Sequence, residues 1–111
     1  MKSDRELLEL AAKAAGYDVS SDGEGGLTIP VRRGVCRDWD PLTDGGDAMR
    51  IAVELGLVVC VMRSAGFTGI YLPACSIGGE YDEVQHHGNN ANAATRRAIV
   101  SAAATIGENM K

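Results

Sequence analysis

The chain has 111 residues, 15 acidic against 11 basic side chains, a formal net charge of -4 and 45% hydrophobic content. That length suits one domain over residues 1–111, the apolar share argues against disorder, and the acidic balance argues against duplex nucleic acid, whose binding needs many cations on phosphate. Cys36, Cys60 and Cys75 are too widely spaced for a disulfide framework or a zinc knuckle, and no apolar run approaches the roughly 18 residues of a membrane span.

The start, Met1-Lys2-Ser3-Asp4-Arg5-Glu6, is charged and unlike a signal peptide, so the expected setting is a cytoplasm. Ser3 and Glu6 have capping-box spacing, which predicts a helix running to about Ala15 and stopping at Gly16. Its stripe of Leu7, Leu8, Ala11, Ala12 and Ala15 is narrow and suits close packing on a sheet. Residues Tyr17 to Asp38 then read as extended segments, with a hairpin between Tyr17-Asp18-Val19 and Leu27-Thr28-Ile29. The glycine-rich loop between them holds Asp22 and Glu24 and opens no helix, so it has the wrong field for phosphate.

Trp39-Asp40-Pro41-Leu42-Thr43-Asp44-Gly45-Gly46-Asp47-Ala48 prescribes a loop running into a second helix. Asp44 is its N-cap, Asp47 complements its positive end, Ala48, Ile51, Ala52 and Leu55 form its buried stripe, and Gly56 ends it. With Asp38 and Asp40 these carboxylates could be imagined around Mg²⁺ or Ca²⁺, but their spacing does not fit an EF-hand loop. Trp39 has two readings, a packing anchor or a flat surface for stacking a base. Two strand-like runs follow, Leu57 to Met62 and Gly69 to Leu72, then a weaker one from Glu80 to His86. The first run is apolar without alternation, as in a central strand covered on both faces, with Cys60 in the core. Tyr71 and Tyr81 are further stacking candidates, although strand core suits each of them.

The last helix is expected from Asn90 or Asn92 to about Asn109. Between Val84 and Gly107 there is no Asp or Glu, while His86, His87, Arg96 and Arg97 are present. A helix start carrying Asn90 and Asn92 instead of carboxylates leaves backbone N-H groups for an anion, and Arg96 or Arg97 can grip phosphate in bidentate fashion. The bland alternative is a solvated helix face. Adjacent histidines in a strand face opposite ways and lack a third ligand, so no metal or other cofactor is expected. Ser64, Ser76 and Ser101 lack a nucleophile-elbow context. Helices and strands in this order predict an α/β fold, a single-layer β-sheet flanked by helices.

Trp39, Pro41, Leu42, Asp44, Gly46, Asp47 and Ala48, followed by Ile51-Ala52-Val53-Glu54-Leu55-Gly56, resemble the phage ABA sandwich domain family. Residues 4–16 and 93–104 are similar to its two ends, whereas Met62 to His87 departs most. The resemblance implies an α-β-α sandwich encoded by a bacteriophage or prophage and acting in the host bacterial cytoplasm, and it implies no catalytic residues. With no coherent catalytic constellation, a binder is expected in preference to an enzyme. The favoured expectation is a viral counter-defence protein, acting as a homo-oligomer, that sequesters a nucleotide-like host immune signalling molecule without cleaving it. Its expected ligand-binding residues are Arg96, Arg97, His86, His87, Asn90, Asn92, Trp39 and Tyr81. An inhibitor that binds a host defence protein complex, a nucleotide hydrolase and a purely structural or regulatory phage component are the alternatives.

Overall fold

A helix begins where a side chain supplies the acceptor that its first N-H groups lack, and each helix of this chain has such a residue. The computed structural model describes residues 3–21, 26–73 and 80–110. Helix α1 (Asp4–Ala15) starts on Ser3, whose Oγ accepts from the Glu6 N-H at 3.2 Å. The Ser3 hydroxyl also donates to the Glu6 carboxylate at 3.3 Å, closing the expected box through side chains. Helix α2 (Gly45–Leu55) starts on Asp44, and helix α3 (Ala91–Glu108) starts on Asn90. Gly56 ends α2 in the left-handed conformation, with φ of 66°, which costs little only for glycine.

The strands are β1 (Ser20–Ser21), β2 (Leu27–Arg32), β3 (Val35–Trp39), β4 (Val58–Met62), β5 (Phe67–Tyr71) and β6 (Glu83–His86). The fold is α/β and helices flank the β-structure, as the pattern predicts. The strands nevertheless divide into two three-stranded antiparallel sheets, β1-β2-β3 and β4-β5-β6, where one sheet was expected. The loop at residues 22–25 of the anticipated first hairpin lies outside the described residues, as does Cys75.

Helix α3 is the hub, packing on α1, α2, β5 and β6. One buried cluster joins Ala11 and Ala12 of α1, Leu27 and Ile29 of β2, Trp39, Ile51 of α2, Ile70 of β5 and the Ala98–Val100 turn of α3. The small stripe of α1 therefore meets a helix and not, as anticipated, principally a sheet. At Gly107 of α3 a Cβ would fall on the backbone oxygen of Leu10, so the two helices approach to backbone contact there.

Strand β4 corrects another expectation. It is an edge strand among the described residues, with Val61 and Met62 exposed (52% and 43%) and Cys60 only half-buried. An apolar run reports hydrophobic side chains; whether a second strand lies alongside is not encoded in it. No helix among the described residues is long and apolar enough to cross a membrane.

Candidate functional site

The Trp39–Ala48 stretch is a structural junction. Trp39 is 1% exposed and meets Tyr17 edge-on, with ring centroids 5.7 Å apart, so its indole is a packing anchor and offers no surface for a base. After it the chain turns on Asp40, whose carboxylate accepts from the Leu42 N-H at 3.1 Å and whose carbonyl accepts from the Asp44 N-H at 2.8 Å. Asp44 caps α2 by accepting from the Asp47 N-H at 3.0 Å.

Asp47 is buried and fully engaged. Its Oδ2 accepts from the Asp40 N-H at 3.0 Å, and its Oδ1 takes Arg37 Nη1 and Arg50 Nη2, each at 2.9 Å. Burial is the largest single influence and pushes its pKa up, but the hydrogen bonds from Arg50, the Asp40 amide and Arg37 together prevail and lower it from 3.8. Two guanidinium groups thus stand where a divalent cation was weighed. Among the described residues no group of three or more His, Cys, Asp or Glu side chains is arranged to hold a metal ion.

The paired arginines of α3 do not converge. Arg96 donates through Nε to the Leu42 carbonyl at 2.9 Å and pins the Asp40–Asp44 loop. Arg97 donates through Nη1 to Asp4 Oδ1 at 3.0 Å, tying α3 to the start of α1. Consecutive residues on a helix point about 100° apart, and here the two guanidinium groups are held by different partners, the Leu42 carbonyl and Asp4. Arg97 instead lines a groove of about 390 Å³ whose other walls include Glu83 and Glu108, a setting unsuited to an anion.

The junction between β6 and α3 is different. The His87 N-H donates to the Gly66 carbonyl at 2.8 Å, drawing this junction against the turn between β4 and β5. His87 Nε2 lies 2.8 Å from the hydroxyl of Thr68, itself 2.8 Å from that of Thr95 on α3, so the ring orientation is fixed by a buried hydroxyl. Asn90 Oδ1 accepts from the Ala93 N-H at 3.0 Å, while the Ala91 and Asn92 amides open the helix with no carbonyl of its own to reach. Arg63, Gly66 and residues 87–92 line a groove of about 530 Å³, and none of those lining residues is acidic.

The expected residues thus separate. His87, Asn90 and Asn92 meet at the groove; Arg96, Arg97, Trp39, His86 and Tyr81 do not line it. His86 is exposed on β6. Tyr81 lies over Gly69 and packs against Phe67 and Tyr71 at centroid distances of 5.6 and 4.8 Å. Burial pushes the Tyr81 phenol up, and the neighbouring Cys60 adds to the shift. Arg63 is the cation that sequence reasoning missed. Its only signal was its place in the turn Arg63-Ser64-Ala65-Gly66, and nothing local says that this turn meets the start of α3.

No known family model matches the chain, and neither does any curated protein or solved structure.

Proposed function

We propose that this chain is a binding protein that captures a small phosphate-bearing, nucleotide-like molecule and holds it intact, with its phosphate at the start of α3 between Arg63 and His87. The observation that carries this reading is the 530 Å³ groove, free of acidic lining residues in a chain of net charge -4 and lined by a helix start and by Arg63. Backbone N-H groups at a helix start favour an anion, and a guanidinium adds charge-assisted hydrogen bonds. Capture without cleavage is supported by the lining: no lining residue is a carboxylate, and His87, the general base among them, has its Nε2 engaged by the hydroxyl of the fully buried Thr68. The likeness of the Trp39–Ala48 stretch to phage proteins supplies the setting, a counter-defence role in a bacterial host that removes an immune signal from circulation.

A second reading, an inhibitor that docks on a host defence protein, is favoured by Met49 and Val53, 58% and 74% exposed and one turn apart on α2. The two readings, and a hydrolase, part in one experiment. The protein is incubated with ADP-ribose derivatives and bacterial cyclic oligonucleotides, its melting temperature is recorded, and the small molecule is recovered after denaturation. A raised melting temperature with intact ligand, lost in Arg63→Ala and His87→Ala but kept in Arg97→Ala, supports capture. Cleaved ligand identifies a hydrolase. The absence of any shift turns attention to the α2 surface.

A further inference from the structure

The edge of β4, unpaired among the described residues, leads beyond ligand capture. An edge strand exposes a row of backbone N-H and C=O groups whose natural complement is another strand, and proteins blunt such edges with charge, proline, brevity or a bulge. Among the described residues three edges of the two sheets are blunted: β1 spans only Ser20–Ser21, β3 carries Arg37 and Asp38, and β6 carries Glu83 and His86. Strand β4 has none of these devices. It reads Val58-Val59-Cys60-Val61-Met62, pairs with β5 without a register shift, and exposes Val61 and Met62.

We propose that β4 is a homodimerisation edge, at which two copies of this chain pair antiparallel about a two-fold axis at Cys60 and join their β4-β5-β6 sheets into one of six strands.

The register follows from the sequence of the strand. Centring the axis on Cys60 sets Val58 against Met62 of the second copy, Val59 against Val61, and Cys60 against Cys60, so every opposed pair is uncharged. A shift by one residue would set side chains of opposite faces across from each other and expose what the sheet covers. Faces are matched as well. Thr68 and Ile70 of β5 look towards α3, so Val59 and Val61, their register partners, share that side. Cys60 and Met62 share the other side with Phe67, Gly69 and the Tyr81 ring, and two such aromatic patches would run on across the dimer.

Charge selects the second copy over an unrelated strand. One step beyond the pairing, Arg63 meets Leu57, just past the end of the second copy's α2. That end carries Glu54, has no basic residue in its last turn, and presents the negative pole of the helix. Neither Arg63 nor Glu54 has an ion-pair partner among the described residues of its own chain. Two-fold symmetry makes that complementarity count twice, and an isologous contact closes at the dimer without building fibres.

The test is light scattering of the full chain on a sizing column, joined to cross-linking of Cys36→Ser/Cys75→Ser, which leaves Cys60 as its sole thiol. The expected mass is twice the 11.7 kDa of one chain. Directly opposed residues of an antiparallel pair lie about 4.5–5.5 Å apart at Cα, within disulfide range. Diamide should therefore convert the single-thiol protein into a covalent dimer, two Cys60 thiols giving up two protons and two electrons as diamide is reduced to its hydrazine. Val61→Lys should halve the mass while keeping the wild-type circular dichroism. Arg63→Glu should weaken the dimer and Arg63→Glu/Glu54→Arg should restore it. A monomeric wild type, or a dimer that neither cross-links through Cys60 nor responds to Arg63→Glu, overturns the proposal, and these two readouts stand even if Val61→Lys fails to fold.

Discussion

Asp47 shows how a residue chosen for one local reason serves several distant ones. Its place in the first turn of α2 was legible, but its partners were not: Arg50 comes from the next turn of the same helix and Arg37 arrives from β3 through tertiary structure. A carboxylate whose pKa is lowered on folding adds stability that is fully present above its unfolded value, near 3.8, and is lost as the pH falls through the lower folded value. Asp47→Asn should therefore cost about 2 kcal/mol at neutral pH, the scale of hydrogen bonds to a charged group. The gap between wild type and variant should close as the pH drops below about 4, which urea unfolding at neutral and acid pH would measure. The two arginines of α3 should also part company. Arg96→Ala frees a partly buried carbonyl and should lower stability by about 1–2 kcal/mol. Arg97→Ala removes an exposed ion pair and should change thermal unfolding by less than about 1 kcal/mol.

Among the elements, helices were legible to within a residue or two because their boundary signals are local: Ser3, Asp44 and Asn90 at the starts, Gly16 and Gly56 at two of the ends. Their partners were not. The alanine stripe of α1 announces close packing without saying against what, and the answer, the Gly107 face of α3, lies nearly the whole chain away. The same gap explains β4, whose apolar side chains were visible while its edge position among the described residues was not. Gly107 gives this scale its test. Alanine raises helix propensity by about 1 kcal/mol over glycine, but here its Cβ would press on the Leu10 carbonyl, a backbone group that moves only if the whole helix does. Overpacking of this kind costs about 1–3 kcal/mol or more, so Gly107→Ala should be net destabilising in chemical denaturation. Gly45→Ala, at the start of α2 with open space around its Cβ position, should be neutral or stabilising by up to about 1 kcal/mol. Equal losses at both positions would mean that α1 and α3 do not meet as closely as described.

For the molecule as a whole, the readable fact was an uneven distribution of charge: an acidic chain with no carboxylate from Val84 to Gly107. That pointed to the start of α3 and to three of the residues that line its groove, His87, Asn90 and Asn92, whereas the two arginines it paired with them, Arg96 and Arg97, lie outside that groove. Composition along one segment cannot register Arg63, which reaches the groove because the His87 N-H bonds Gly66 and folds the β4–β5 turn against the helix. If the groove holds an anion, the field there must overcome the negative field of the remaining surface, and the two respond differently to salt. Screening over a Debye length of about 10 Å at 0.1 M weakens the long-range repulsion and the local attraction of an exposed guanidinium alike, but only the latter disappears with Arg63. The affinity for pyrophosphate or ADP-ribose should fall with rising salt in the wild type. Arg63→Ala should bind roughly tenfold more weakly at low salt, about 1.4 kcal/mol, and show a flatter salt dependence. Arg97→Ala should keep the wild-type slope, because its guanidinium is turned towards Asp4, away from the groove. Calorimetric titrations at two salt concentrations separate these outcomes, and a slope that follows Arg97 would move the anion to the other groove, beside Glu83 and Glu108.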